Sequence, residues 1–553
     1  MYRETRDEIK DILRDLTGQE DAELVDGGTH ADLASTIAFS LARVQRRPPV
    51  EIARELGARL REYEKAGLFR VEIKGPYLNF HFGEEYLKKS LQAALQSGYG
   101  AIASQEVRIA LEHTSANPNG PLHVGHIRNS ILGDTLARAF KKGGYRVERQ
   151  YYVNDIGRQI AIVVWGLTTL GLPTQQEKED HYIARIYIAA NRALEKDPGQ
   201  VVEIDELMQR VERGEKEMVR RFREAVSICL EGIKGTLRDL RIHHDRYVWE
   251  SDFIRNGDVE RVIERIRKMP QAHEDETLWV DLSEEGFENR YILRRSDGTT
   301  VYAARDLAFH IWKGRNFEVL IDILGADHKL IGAQLIATLR LLGEKPPTIL
   351  HFEFVSLPEG SMSTRAGKFV SADELIAEVT EKALEEVTKR RPELSDRARE
   401  EIASSVAIAA IRYDIVKVSP EKSTVFDWRE ALDFERQSGP YIQYAHARAC
   451  SILEKAGEFS PAYQIEGPHE AALVKHISRF PFVLDQVVQE LRPHLLAVYA
   501  RDLADLFNTF YRYVPVLRSE GEVRNSRLTL VKATQNTLKE ALETLGIDAL
   551  ATM

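Results

Sequence analysis

The sequence predicts three consecutive domains: a small N-terminal α/β domain, a central α/β domain built on a parallel sheet, and an all-helical C-terminal domain. The chain of 553 residues is too long for a single hydrophobic core. In the central part, apolar strand-like runs alternate with helical periodicity, which is typical of a parallel sheet, and the last part of the chain follows the helical pattern throughout. We therefore expect domains at residues 1–105, 106–415 and 416–553, with an inserted connective region at about 170–290.

The N-terminal region combines helical and strand-like patterns. Residues 2–16 and 31–63 follow the helical period, with a break at residues 47–49 where two prolines stand together. Residues 69–73 and 78–82 alternate between apolar and polar, and a link with glycine and proline joins them, which predicts two paired strands. The pattern alone indicates a docking or stability module and carries no chemistry.

Composition limits the classes of protein to which the chain can belong. Apolar residues make up 43% of the chain and charged residues 29%, the usual proportions of a globular protein. No apolar stretch is long enough to span a bilayer, and the charged start lacks the apolar run of a secretory signal, so we expect a cytoplasmic protein without membrane association. Two cysteines, Cys229 and Cys450, are too few for a structural zinc site or a disulfide framework. The net charge of −10 argues against indiscriminate nucleic-acid binding, although a local basic face can still bind RNA.

The central region begins like a strand–helix–strand unit. Residues 107–112 and 146–153 resemble strands, and residues 127–140 between them follow the helical period, which predicts parallel pairing. The charged run at residues 212–222 indicates a solvated helix face. We expect the sheet to resume after the insertion near residues 291–293, 319–325 and 352–355.

A run with two histidines lies where the first strand gives way to the helix. It reads EHTSANPNGPLHVGH over residues 112–126. The free N–H groups and the positive dipole end at a helix start favour an anion. Gly125 lets a ligand approach the backbone, and His123 and His126 supply imidazole donors for charge that develops on phosphorus. The run therefore indicates a nucleotide triphosphate site, although two histidines near a helix start can also simply cap the helix.

Tyr302 and Asp306 form a second constellation. They are four residues apart, so on a helix they share one face, where a phenol and a carboxylate can converge on a guanidinium. The alternative is that Asp306 pairs with a neighbour such as Arg305 or His310.

A third constellation is the turn at residues 325–328, which follows an apolar strand and precedes a helix. At the carboxyl edge of a parallel sheet, Gly325 lets ribose or adenine approach, and Asp327 can accept a hydrogen bond from a ribose hydroxyl. The alternative is helix capping by Asp327.

Residues 115–129, SANPNGPLHVGHIRN, resemble the first signature of class I aminoacyl-tRNA synthetases in the form used by arginyl-tRNA synthetases. The resemblance covers almost the entire chain, and it implies a Rossmann-type catalytic domain. It also implies a two-step reaction: the arginine carboxylate attacks the α-phosphorus of ATP, which arrives with Mg²⁺, and the terminal ribose hydroxyl of tRNA(Arg) then takes the arginyl group. We expect no structural metal and a monomer.

The resemblance also implies roles for individual residues. It places His123, Gly125 and His126 at the α-phosphate, with Gly325, Asp327 and His328 as further ATP-binding residues. The residues expected to bind arginine are Glu112, Ser115, Asn117, Tyr302, Asp306 and Gln334.

The second signature of the class departs from its usual form. Most class I synthetases carry KMSKS at this place, whereas residues 361–365 read SMSTR, so that Met362 and Ser363 remain while both lysine positions are uncharged. Arg365 and Lys368 are the nearest cations, and we expect them to share the lysine role on the triphosphate. The alternative is that they are loop charges in water.

The terminal domains resemble the tRNA-contacting domains of the same family. The N-terminal domain would touch the outer corner of the tRNA, and the helical C-terminal domain would bind the anticodon, where aromatic residues beside cations can stack bases. Aromatic residues at helical spacing are also typical of a core. The expected tRNA contacts are Tyr441, Tyr444, Asn508, Tyr511 and Met553.

Two other functions compete with an arginine-specific synthetase. A synthetase for another amino acid would keep the histidine run and lose the cation pocket. A tRNA-binding paralogue without activity is favoured slightly by the altered second signature, but the intact histidine run and the arginine positions oppose it.

Overall fold

The computed structural model describes residues 1–20, 22–28, 30–64, 67–102, 104–174, 176–358 and 370–553. Within these ranges, no helix is long and apolar enough to cross a membrane. The predicted residues Met362, Ser363, Arg365 and Lys368 lie outside the described residues.

The N-terminal region is a four-stranded antiparallel sheet with helices. Its elements are α1 (Tyr2–Thr17), β1 (Leu24–Asp26), β2 (Leu33–Ser35), α2 (Ile37–Gln45), α3 (Pro49–Leu60), β3 (Phe69–Lys74), β4 (Tyr77–Phe82) and α4 (Glu84–Ala94). The strand order is β1-β2-β4-β3, and the predicted hairpin of β3 and β4 is confirmed. The helix predicted from residue 31 was wrong at its start, because β2 is buried along its length and pairs with β4 there. Tertiary pairing outweighs local helical periodicity at this point.

The central region contains a five-stranded parallel sheet flanked by helices. Its first half comprises β5 (Arg108–Glu112), α5 (Val124–Lys142), β6 (Arg146–Val153), α6 (Arg158–Thr169), α7 (Glu179–Lys196), α8 (Val201–Glu212), α9 (Lys216–Asp239), β7 (Arg246–Trp249), α10 (Glu250–Arg255) and α11 (Asp258–Arg267). Its second half comprises β8 (Ala272–Glu274), β9 (Leu278–Val280), β10 (Tyr291–Arg294), α12 (Tyr302–Asn316), β11 (Val319–Gly325), α13 (Lys329–Leu341), β12 (Thr348–Phe352), β13 (Val355–Ser356), α14 (Ala372–Arg390) and α15 (Asp396–Val416).

The order of the parallel sheet places a crevice at one edge. The order is β12-β11-β5-β6-β7, so the chain runs outward from β5 in one direction through β6 and in the other through β11. The carboxyl ends of β5 and β11 therefore meet at a topological switch point, where ligands bind in open parallel sheets. The predicted strand–helix–strand start is confirmed.

The predicted resumption of the sheet was partly wrong. β7, inside the expected insertion, already pairs in parallel with β6. The predicted strand near residue 291 is β10, which belongs to a separate antiparallel sheet with β9 and β8. β10 alternates between buried and exposed residues, the pattern of an antiparallel sheet with one solvated face. The segment predicted at residues 352–355 is divided between the end of β12 and the start of β13.

The C-terminal region is a helical bundle. Its elements are β14 (Thr424–Val425), α16 (Trp428–Ala431), α17 (Gly439–Ala456), α18 (Pro468–Ser478), α19 (Phe480–Glu490), α20 (His494–Tyr513) and α21 (Gly521–Thr544). The prediction of helix throughout was wrong only for β14, a two-residue strand that pairs in parallel with β13 of the central region.

A buried arginine joins these regions. Arg412 of α15 is fully buried, and its guanidinium donates to the Asp134 carboxylate of α5 over 2.6 Å. It also donates to the carbonyls of Leu240, after α9, and Leu545, after α21, each over 2.8 Å. Gly546 has φ of +73°, and a Cβ at this residue would overlap the guanidinium. The position of the Arg412 guanidinium thus requires glycine at residue 546.

We predict that Asp134→Ala destabilises the fold by about 3–5 kcal/mol, because it leaves the buried Arg412 charge without its carboxylate. Equilibrium unfolding in denaturant measures the change. Glu401→Ala is the matched control, since it removes the carboxylate of the exposed Arg397–Glu401 pair, and we expect it to change stability by less than about 1 kcal/mol. Equal effects of the two variants would contradict the role of Arg412.

Candidate active site

A cavity of about 1020 Å³ opens at the carboxyl ends of β5 and β11. Ten of the residues predicted to bind arginine or ATP line it, and they come from the β5–α5 loop, the start of α5, the start of α12 and the turn after β11. These ten are Glu112, Ser115, Asn117, His123, Gly125, His126, Tyr302, Gly325, Asp327 and His328. The fold therefore brings together segments that are distant in the sequence.

The two histidines cap α5 and face each other. Nδ1 of His123 accepts from the backbone N–H of Gly125 over 3.1 Å, and Nδ1 of His126 accepts from the N–H of His123 over 3.3 Å. The two rings stack with their centroids 3.6 Å apart. A Cβ at Gly125 would meet the His123 ring at 2.9 Å, so glycine allows this stacking. Capping and ligand binding are therefore compatible interpretations, because the cap uses Nδ1 and leaves the proton on Nε2.

Both imidazoles are neutral near pH 7. Burial lowers the pKa of His123, and burial together with the neighbouring His123 lowers the pKa of His126 to about 3. The histidines thus present N–H dipoles to the cavity at the positive end of α5. This arrangement suits phosphate oxygens on which negative charge increases during a reaction.

The loop before α5 is held in a strained conformation. Thr114 and Ser115 have φ of +71° and +37°, a region that non-glycine residues rarely occupy. The N–H of Thr114 donates to Oδ1 of Asn129 over 2.6 Å, and Asn129 also donates to the carbonyl of Ile323 in β11. Ser115 donates to the Glu112 carboxylate over 3.0 Å and accepts from the N–H of Tyr152. These bonds fix the hydroxyl and the carboxylate that were predicted to bind arginine.

Tyr302 and Asp306 share one face of α12, as predicted. Tyr302 lines the cavity, and the Asp306 carboxylate raises the pKa of its phenol. Asp306 lies deeper, at 7% exposure, and its Oδ1 is 3.1 Å from Nδ1 of His310. The pairing with His310 that sequence reasoning left open is therefore present, while Arg305 pairs instead with the buried Glu250.

The turn after β11 has the predicted form. Residues Ala326–His328 make one turn of 3₁₀ helix before α13. Asp327 and His328 are exposed at the cavity, and Asp327 does not cap α13, whose N-cap residue His328 makes no side-chain capping bond. The capping alternative is not supported.

Gln334 was predicted at the arginine site, and the structure places it elsewhere. It is buried in α13, does not line the cavity, and donates to the carbonyl of Asn289 over 3.2 Å. The role of Gln334 in arginine binding stays a prediction.

The predicted tRNA-binding residues of the C-terminal region differ in exposure. The rings of Tyr444 and Tyr511, at 40% and 48% exposure, have their centroids 4.7 and 5.0 Å from the Arg448 guanidinium. Arg448 is also bonded to Asn508. Tyr441 is buried and donates to Asp505 over 2.6 Å, so it is a core residue.

Met553, at the end of the described chain, is half-buried, and its carbonyl accepts from Arg391, the residue after α14. In this structure, the interaction joins the C-terminal region to the central region.

Sequence reasoning missed the buried partners of the site. Lys313 bonds Glu112 from below the cavity, and Asp322 bonds the same ammonium. One signal was available, because Asp322 stands in the middle of the apolar strand VLIDILG, where a carboxylate needs a partner.

Comparison with known proteins assigns the family. The arginyl tRNA synthetase N-terminal domain matches residues 3–82, the class I (R) tRNA synthetase catalytic domain matches residues 90–428, and the DALR anticodon-binding domain matches residues 442–553. The chain is 64% identical to the arginine–tRNA ligase of Methanoregula boonei over the full length of both proteins. The chain belongs to the arginyl-tRNA synthetase family. It is also 62% identical over the full length of both proteins to the arginine–tRNA ligase of Methanosphaerula palustris.

Solved structures of arginyl-tRNA synthetases agree with this. The Thermus thermophilus arginyl-tRNA synthetase is 32% identical with a TM-score of 0.87 over all of both chains. The Plasmodium falciparum arginyl-tRNA synthetase is 18% identical with a TM-score of 0.83 over 99% of both, a likeness of fold alone. The family and the Rossmann-type fold predicted from residues 115–129 are confirmed.

We predict that the His126 imidazole remains neutral, with its proton on Nε2, until the pH falls toward 3. Burial disfavours the charged ring, whereas an unfolded histidine titrates near 6.5. The unfolded state therefore binds this proton first, and the contribution of His126 to stability is lost as the pH falls from 6.5 toward 3. ¹⁵N-edited NMR of the imidazole nitrogens, assigned with His126→Gln, measures the titration. Protonation of His126 at pH 6 would contradict its burial and its capping bonds.

Proposed function

We propose that the chain attaches arginine to tRNA(Arg) in two steps, of which the first consumes ATP. The observation that carries this proposal is the shared cavity: the stacked histidines at the start of α5 and the carboxylate of Glu112 line one space, so phosphate donors and a cation site are adjacent. The curated relatives are named for the same reaction.

In the first step, an oxygen of the arginine carboxylate forms a bond to the α-phosphorus of ATP, and the bond to pyrophosphate breaks. The nucleophile belongs to the substrate, so the protein contributes positioning and charge stabilisation. His123 and His126 donate from Nε2 to the α-phosphate, where negative charge increases. Gly325, Asp327 and His328 hold the adenosine, with Asp327 accepting from the ribose. ATP enters with Mg²⁺ as the substrate complex, in which the ion binds phosphate oxygens.

Glu112, Ser115, Asn117, Tyr302 and Asp306 bind arginine. Asp306 and Tyr302 take the guanidinium, because a planar cation can pair with a carboxylate and lie against a phenol ring. In the second step, the terminal ribose hydroxyl of the tRNA attacks the arginyl carbonyl and AMP leaves. Tyr444, Tyr511 and Arg448 form an exposed aromatic and cationic surface to which unpaired bases can stack.

Three further features belong to the proposal. Arg365 and Lys368 replace the lysines of the second signature at the triphosphate. The protein acts as a monomer. It works in the cytoplasm, where translation consumes its product.

Aminoacylation with each amino acid in turn, in the presence of ATP, Mg²⁺ and total tRNA, tests the function. We expect charging with arginine alone. Charging with another amino acid would assign the chain to a different synthetase, and binding of tRNA without charging would support the inactive paralogue.

We predict that His126→Ala lowers kcat for aminoacylation by about 100-fold and leaves the KM for arginine nearly unchanged, because one charge-stabilising donor is lost. Steady-state kinetics measure both constants. His243→Ala, on an exposed histidine away from the cavity, is the control. A rise in the arginine KM at constant kcat would instead assign His126 to substrate positioning.

We predict that Asp306→Ala weakens arginine binding by about 3–5 kcal/mol, because a desolvated guanidinium is left unpaired. Calorimetric titration with arginine measures the change. Asp275→Ala removes an exposed aspartate of the β8–β9 hairpin outside the cavity and serves as the control. An unchanged Kd for arginine would remove Asp306 from the site.

A further inference from the structure

Five buried ionisable groups form one continuous network of ion pairs at the base of the cavity. Glu112 Oε2 accepts from Nζ of Lys313 over 2.7 Å, and the same ammonium donates to Oδ1 of Asp322 over 2.7 Å. Oδ2 of Asp322 bonds Nε2 of His310 over 2.7 Å. Nδ1 of His310 bonds the backbone carbonyl of Asp306 over 2.8 Å and lies 3.1 Å from Oδ1 of the same residue. The network therefore begins at Glu112 and ends at Asp306, the two carboxylates proposed to bind arginine.

Burial makes this arrangement costly unless every charge is compensated. The side chain of Lys313 is fully buried, those of His310 and Asp322 are 2–3% exposed, and those of Glu112 and Asp306 are each 10% exposed. Lys313 also lies 4.2 Å from the centroid of the Phe309 ring, which excludes water on that side. An ion in such surroundings is stable only with a paired and hydrogen-bonded partner.

The charges of these five groups do not cancel completely. Three carboxylates, Glu112, Asp306 and Asp322, face two cations, Lys313 and a protonated His310, which leaves one net negative charge. The neighbouring carboxylates outweigh burial and raise the pKa of His310 to about 10. Burial raises the pKa of Glu112, and the Lys313 ammonium opposes this rise. One cationic group of a substrate would neutralise the remaining negative charge.

We propose that Lys313 and His310 are positioning residues that orient the Glu112 and Asp306 carboxylates, and that Lys313 keeps Glu112 ionised, so that the site carries one unbalanced negative charge for arginine. This inference rests on the proposed function. Neither residue lines the cavity, so both act through the carboxylates. An uncharged isostere of arginine would leave the excess charge buried and unpaired, which adds discrimination to the direct contacts.

Lys313→Met tests the proposal. We expect the KM for arginine to rise by about 10- to 100-fold, the loss carried by one charge-assisted hydrogen bond, while the KM for ATP stays within about twofold. Without the ammonium, burial protonates Glu112, so the arginine KM of the variant should fall as the pH rises from 6 to 8.5, whereas the wild-type value stays flat. The groups facing Glu112 in this pH range are Lys313, Asp322 and His310, together with Ser115.

A second variant separates charge from structure. Lys313→Met combined with Asp322→Asn also removes the negative charge next to Glu112, so we expect a lower arginine KM than in Lys313→Met alone. His310→Gln keeps a hydrogen-bonding side chain without the charge, and we expect it to raise the arginine KM by about 10-fold. Lys345→Met is the matched control, because Lys345 bonds only the carbonyls of Phe317 and Glu318 among the described residues, and its constants should not change.

The outcomes distinguish the inference from the function on which it rests. If the wild type does not charge tRNA with arginine, the proposed function fails. If the wild type does so, the inference is overturned by an unchanged arginine KM in Lys313→Met and His310→Gln, or by equal increases for arginine and ATP. Should Lys313→Met not fold, His310→Gln decides the question in the same assays.

Discussion

The buried ion pair of Arg412 and Asp134 determines how the parts of this protein are held together. Arg412 extends from α15 to α5, to the end of α9 and to the end of α21, and its charge is fully removed from water. A guanidinium in that position needs all of its partners, because separating any of them from it leaves an unsatisfied polar group. The helix that carries the histidines is thereby fixed to both the inserted and the C-terminal regions. A second buried arginine, Arg128 of α5, donates to four backbone carbonyls. These bonds also fix the same helix.

The cavity at the start of this helix contains two different electrostatic environments. At the start of α5 it offers neutral imidazole donors and a helix dipole, which suit phosphate without attracting every anion in solution. Around Glu112 and Asp306 it has three buried carboxylates, with Asp322 as the third, and only Lys313 and His310 as cations beside them. The two ligands of the proposed reaction carry opposite charges, so this polarity orients them relative to each other before any bond forms. The switch point of the sheet makes the separation possible, because β5 and β11 supply the two sides.

Local patterns predicted the parts of the site that depend on chain neighbours. The order of β5, α5 and β6, the shared face of Tyr302 and Asp306, and the turn at Gly325 all follow from periodicity and short spacing. Other features depend on contacts between distant segments. β2 forms because β4 offers a neighbouring edge, and β10 joins an antiparallel sheet because it pairs with β9. The partners of Glu112 could not be read from spacing either, since Lys313 is 201 positions away along the chain.

The left-handed backbone at Thr114 and Ser115 limits how this loop can change over evolution. Glycine adopts such a conformation without strain, so glycine at either position is the shortest mutational route to a more relaxed loop. That route also deletes a hydroxyl, and the Ser115 hydroxyl connects the Glu112 carboxylate to the backbone of β6. Relief of backbone strain and retention of the Ser115 hydroxyl therefore act in opposite directions on residue 115. Lineages that live at high temperature are expected to gain stability elsewhere in the fold and to retain the strained pair.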